Sequence, residues 1–172
     1  LHIQATTDQL TGIYNRRVIF EALDEAMENS KQSKDRQFAT IMFDIDFFKQ
    51  VNDNYGHAGG DAVLVSFAQL LQTEISSPNI VGRIGGEEFL AILYLSPDEA
   101  KEFCVKLIHK INNNLVDFEG TEIKIRSSGG VAFSTETETS ADLTNKADER
   151  LYEAKKNGRN RFTLHDSELV GE

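Results

Sequence analysis

The chain has 172 residues, 40% hydrophobic and 27% charged, with a formal net charge of −10, the make-up of one globular domain with its own core. So acidic a balance excludes a nucleic acid as the main partner, since that binding rests on many Lys and Arg contacts, but leaves room for a nucleotide. One cysteine, Cys104, excludes an internal disulfide and suits a reducing, cytoplasmic setting, and the longest apolar run, residues 90–95, is too short for a membrane span.

In chain order, Val18, Ile19, Ala22, Leu23, Ala26 and Met27 recur at helical spacing and predict a helix over 16–29, with Asn15 as N-cap. Polar residues 30–37 read as a loop. The apolar run 38–43, ending at Asp44, reads as a buried strand. A short helix over 47–52 precedes a turn at Asn54-Tyr55-Gly56. Residues 61–75 carry Val63, Leu64, Phe67, Leu70, Leu71 and Ile75 on one face, an amphipathic helix. Two short apolar runs, 79–81 and 90–94, then flank Gly85-Gly86, a hairpin signal with the adjacent acids Glu87 and Glu88 on its turn.

Ser96-Pro97-Asp98-Glu99 has the capping-box pattern and opens a helix expected to reach Leu115, with Cys104 on its core stripe. Residues 122–133 read as a strand interrupted at Gly129-Gly130. A last helix over 140–156 stops near Gly158, and 161–164 form a closing strand. This order predicts an α+β domain with helices packed on a mostly antiparallel sheet. The start, Leu1-His2-Ile3 without Met, reads as a cut from something longer and shows no signal peptide.

Chemistry gathers around Asp44-Ile45-Asp46. Carboxylates at i and i+2 on a strand point to one side of the sheet, and their repulsion is relieved by a divalent cation such as Mg²⁺. Asp46 can equally cap the helix that follows. Glu87 and Glu88 approach Asp44 if the hairpin lies beside its strand. The amides of Phe47 and Phe48 and the charge of Lys49 sit at a helix start that favours a phosphate. Asn52-Asp53 and Gly60-Asp61 offer an amide and carboxylates that together suit a guanine edge, a carboxylate accepting and the amide donating. Lys155 and Arg159 flank the last helix's C-terminus. They serve either its dipole or a phosphate.

Five spaced motifs resemble the GGDEF-domain diguanylate cyclases over nearly the whole chain: the segment from Asp8-Gln9-Leu10-Thr11 to Arg17; Asp44 to Asp53; Gly56-His57 with Gly60-Asp61; Arg83 to Phe89, a GGEEF form of the signature; and Ser128 to Ala132 with Ala154 to Asn160. The resemblance implies condensation of two GTP into cyclic di-GMP with release of two pyrophosphates. It also implies a five-stranded sheet flanked by helices, like the palm of nucleotidyl cyclases and polymerases, a ferredoxin-like variant. By the same resemblance Asp44, the Ile45 carbonyl and Glu87 hold Mg²⁺, for which Mn²⁺ can substitute. Asn52 and Asp61 read guanine, and Phe47, Phe48, Lys49, Lys155 and Arg159 bind the triphosphate. Gly85 and Gly86 let it approach the backbone. Glu88 either assists 3′-hydroxyl activation or holds the loop, and His57 is structural.

The family's active site forms between two domains, so a homodimer is implied for catalysis, although the isolated domain can be monomeric. On this reading residues 1–7 end a linker helix from an upstream sensor domain, 8–166 form the domain and 167–172 a tail. The family's product-inhibition motif, Arg-x-x-Asp, falls on Ser76-Ser77-Pro78-Asn79, where Ser76 and Asn79 replace the Arg and Asp, so no inhibitory site is expected. Two other functions remain: a non-catalytic GTP-binding or protein-interaction module, which usually loses the signature acid, the metal Asp or the guanine Asn, all kept here, and a cyclic GMP-AMP synthase, which goes with Ser in place of Asp61.

Overall fold

A computed structural model describes residues 5–171. Helix α1, Arg16–Gln32, starts where Asn15 accepts a hydrogen bond from the Val18 N–H, as its sequence predicts. It is followed by β1 (Ala39–Ile45), α2 (Phe48–Glu74), β2 (Ile80–Gly85), β3 (Glu88–Leu93), α3 (Pro97–Asn112), β4 (Leu115–Phe118), β5 (Thr121–Lys124), β6 (Ser127–Phe133), α4 (Ser140–Lys156), β7 (Arg161–Thr163) and β8 (Leu169–Gly171). The main sheet runs β2-β3-β1-β6-β7-β8, antiparallel except for the β6–β7 pair, and β4 with β5 form a separate hairpin.

Strand β1 lies at the centre with every residue buried, so alternate side chains feed two cores. Ile41, Phe43 and Ile45 join α2 and α3 on one face, where Phe67 meets Phe43 and Phe89 in edge-to-face contacts. Met42 joins α1 and α4 on the other. Cys104 is buried in the first core, and burial pushes its thiol up to about 12, which fits a packing role. The Ser96 capping box forms as read.

Three local expectations change. The chain has a third helix that ends at Asn112, short of Leu115, because residues 115–124 turn back on themselves as the β4–β5 hairpin. Residues 122–133 break at Ile125-Arg126 rather than at the glycines, which lie inside continuous β6. The glycines there answer to space: a Cβ on Gly130 would stand 1.9 Å from the Ala147 carbonyl oxygen, and one on Gly129 2.0 Å from the Phe162 ring. Residues 169–171, read as tail, form β8 on β7, which gives the sheet six strands instead of five. Of the expected linker helix, residues 1–4 lie outside the described part, and Thr7 bridges to Tyr14. No helix among the described residues is long and apolar enough to cross a membrane.

Candidate active site

The register of the sheet assembles the site. Asp44 at the end of β1 pairs with Glu88 at the start of β3, and the Ile45 N–H donates to the Glu87 carbonyl at 3.2 Å. Of the two signature acids it is therefore Glu88 that stands directly across the ladder from Asp44, with Glu87 beside Ile45. Like charges facing across a ladder repel. Burial, then Asp44, Asp148 and Glu87, push the Glu88 carboxyl above its usual range, and only Lys155 opposes them.

The turn itself is clamped from below. Arg83 Nε donates to the Gly86 carbonyl at 2.9 Å, and its Nη1 pairs with Asp8 at 3.1 Å. Asp8 in turn takes hydrogen bonds from the Thr11 N–H and hydroxyl. Burial works to raise the Asp8 carboxyl, but Thr11 and Arg83 outweigh it and hold it below the usual range. This gives the Asp8–Arg17 segment a definite job, fixing the signature turn, that the sequence motif by itself did not disclose. Gly86, at φ 46°, occupies the left-handed region that the turn requires.

At the other side of β1 the chain passes through Phe47, a non-glycine residue at φ 56°, before α2 begins. No side chain caps that helix start. Asp46 thus does not cap that helix: its carboxylate accepts from Ser128 Oγ at 2.7 Å and from the Asn160 N–H at 2.9 Å. Burial raises the Asp46 carboxyl despite those donors and the charge of Arg159. The first amides of α2, at Phe48 and Lys49, lack intrahelical acceptors because they open the helix, and the Lys49 side chain beside them is exposed.

Helix α2 is two helices joined at Gly56 (φ 75°, ψ 175°), the turn that the sequence predicts. The kink folds the second segment back on the first. A Cβ on Gly60 would stand 1.9 Å from Asn52 Oδ1, so the amide of Asn52 rests against the Gly60-Asp61 backbone. In a straight helix, residues nine apart would be separated by about 13.5 Å. Asp61 is exposed and lines a groove with Ala62, Ser66 and, from the unforeseen β4 hairpin, Val116 and Asp117.

The two basic residues are already paired. Lys155 Nζ lies 2.6 Å from Asp44 Oδ2, with the Asp44 side chain only 8% exposed. The Arg159 guanidinium stacks over the Phe47 ring at 4.7 Å and reaches Asp46 Oδ1 at 3.7 Å. Neither simply complements the helix end.

A divalent cation suits this donor set. The ligands are hard oxygens, and the place beside the buried Asp44 carboxylate already receives a positive charge from Lys155. No three His, Cys, Asp or Glu side chains are poised to hold a metal ion among the described residues. A cation there would thus draw on carboxylate, carbonyl and substrate oxygens together, the mixed shell that Mg²⁺ favours.

Comparison with known proteins points one way. The family model described as "Diguanylate cyclase, GGDEF domain" matches residues 5–161. Diguanylate cyclase A of Treponema denticola is 34% identical over 168 residues, which cover 95% of this chain and 45% of that protein. Diguanylate cyclase DgcS of Shewanella oneidensis is 33% identical over 169 residues, 98% of this chain and 56% of its own length. The chain thus spans about half the length of these relatives. Among solved structures, the GGDEF domain of DgcB from Caulobacter crescentus in complex with c-di-GMP matches with a TM-score of 0.89 at 28% identity, covering 95% of this chain and 98% of that one.

Proposed function

The chain belongs to the GGDEF-domain family, and from that premise we propose that it is a diguanylate cyclase that condenses two GTP into cyclic di-GMP and releases two pyrophosphates. The observation that carries this reading is the convergence at one sheet end of Asp44 with the α2 start that follows it, the Glu87-Glu88 turn and Lys155, drawn from three separate stretches of sequence.

Asp44, the Ile45 carbonyl and Glu87 hold Mg²⁺ or Mn²⁺, which when bound neutralises charge developing on the attacked phosphate. Glu88, facing Asp44, adds its charge to the same spot. The amides at Phe47 and Phe48, with Lys49, Lys155 and Arg159, hold the triphosphate. Gly85 and Gly86 leave the backbone open to it. Asn52 and Asp61, gathered by the Gly56 kink, take the guanine edge: the Asp61 carboxylate accepts from its N–H donors and the Asn52 amide donates to its carbonyl.

One domain binds one GTP and so supplies half a site. Two must meet face to face, each offering its nucleotide's 3′-hydroxyl to the α-phosphate held by the other, and alignment supplies much of the acceleration. Within a longer protein, whatever brings two domains together then sets the rate, the role we assign to an upstream sensor. Incubation of the purified chain with GTP, ATP and Mg²⁺, followed by separation of products, tests the reading. Cyclic di-GMP that is lost in Glu87→Ala supports it. Failure to form any product even when the chain is fused to a dimerising helix assigns the domain to binding alone, and a mixed guanine-adenine product assigns it to the other synthase class.

A further inference from the structure

Two of the three cations assigned to the triphosphate, Lys155 and Arg159, are parked on acids at the end of β1, but not equivalently. Asp46 keeps hydrogen bonds from Ser128 Oγ and the Asn160 N–H if Arg159 swings away. Asp44 has Lys155 as the cation on its side chain, and among the described residues no other cation pairs with it, so removing that ammonium would leave a buried carboxylate facing Glu88 uncompensated. Asp148, two turns earlier on α4, and Glu88, across the ladder from Asp44, both feel the charge of Lys155, so its ammonium offsets more than the one carboxylate it touches.

We infer that Lys155 is a resident counter-cation of Asp44, exchanged for a divalent cation when the site loads: Lys155 turns to the triphosphate as another cation takes its place on Asp44. This rests on the reading of Asp44 as a metal ligand given above. Lys155 then has two successive partners, Asp44 in the empty domain and phosphate oxygens in the loaded one. Its side chain, 29% exposed on the last turn of α4, has the reach and the open side to change between them. The consequence is a coupling between the two ligands. In the nucleotide-free domain a cation must compete with the ammonium, so its apparent affinity falls by the fraction of domains in which Lys155 has left Asp44. By linkage, anything that draws Lys155 away strengthens cation binding, and a cation on Asp44 strengthens phosphate binding by the same factor. The arrangement also keeps the carboxylate neutralised between turnovers, when no cation is bound.

The test is Mn²⁺ binding to the 172-residue chain without nucleotide, followed by electron paramagnetic resonance. Lys155→Met is expected to tighten Mn²⁺ about tenfold, the factor for a site free in about a tenth of molecules. Lys156→Met, which removes a neighbouring charge that does not touch Asp44, should change it less than about twofold. In the unmodified chain, where folding is not in question, the acylation rate of Lys155 followed by mass spectrometry should rise when Mn²⁺ is added. It should fall again when a non-hydrolysable GTP analogue joins it. Lys155→Met binding no tighter than Lys156→Met, or a Lys155 acylation rate indifferent to Mn²⁺, overturns the exchange while leaving the metal site standing. Mn²⁺ binding that survives Asp44→Asn overturns the metal reading itself.

Discussion

Helix α4 carries two ion pairs with opposite characters. Near its middle, Arg150 is buried and grips Glu136 with both arms, at 2.7 and 2.6 Å, while a third bond reaches the Val131 carbonyl. Glu136 also accepts from the Phe133 N–H and meets His165 Nδ1 at 2.9 Å. Every charge in that cluster has several partners, and it ties β6, α4 and the turn before β8 into one unit. Near the end of the helix, Lys155 holds Asp44 through one contact, among surplus acids, beside the left-handed Phe47, Arg159 and Asn160. A closed pair holds the fold. An open pair, with unbalanced charge and strained backbone around it, is what a site that exchanges ligands needs.

The sharpest way to break the comparison is to remove one member of each pair. Arg150→Met should cost about 3–5 kcal/mol, because it strands the Glu136 carboxylate and the Val131 carbonyl together; urea unfolding measures it. Asp44→Asn should lower cyclic di-GMP formation by a factor on the order of 10²–10³, the loss expected when a principal electrostatic contact at a developing charge goes, with a melting temperature that changes little. If both substitutions act mainly on stability, the distinction collapses.

Acid sharpens the contrast. Burial tends to raise the Glu136 carboxyl, but the bonds and charge of Arg150, with Phe133 and His165, pull it down to about 2 from the usual 4.5. A lowered carboxylate stabilises the fold above its unfolded value and loses that contribution as pH falls from about 4.5 toward about 2. Thermal unfolding across this window should show an acid-sensitive component that Arg150→Met reduces, since the Phe133 and His165 bonds to Glu136 remain. Glu88 runs the other way. Its raised carboxyl favours the fold below the ordinary value, and the benefit is lost as pH rises through the raised one. At neutral pH its charge is therefore a small cost, and Glu88→Gln should gain less than about 1 kcal/mol, discounted for its exposure. Away from both pairs, Asn79 Oδ1 accepts from the Tyr94 N–H at 2.7 Å, a structural bond at the position of the family's inhibitory Asp. Calorimetry without GTP should detect no tight cyclic di-GMP binding there; tight binding that survives Asp61→Ala would restore the brake.

What the sequence could disclose follows from range. Caps are local, so the starts of α1 and α3 were legible from Asn15 and from Ser96 to Glu99. The Gly56 turn was legible too, since few residues but glycine accept its backbone. The Asp44–Lys155 pair joins residues 111 apart in sequence, and no spacing rule reaches that far; only motif resemblance placed both in one site, and it placed them on different ligands. Gly129-Gly130 misled because the same residue marks a flexible break and a close approach, and only the positions of Phe162 on β7 and of α4 decide between them. Strand β8, three residues long, has too short a pattern to stand out from a tail. The left-handed Phe47 left no sign, because Phe does not advertise a positive φ.

The claim that this sheet end is half of an active site is tested most directly by how the initial rate of cyclic di-GMP formation depends on chain concentration in dilute solution. The account predicts a rate that rises with the square of concentration and disappears in Asp44→Asn. A rate that rises only in proportion to concentration, or that persists without Asp44, would contradict it.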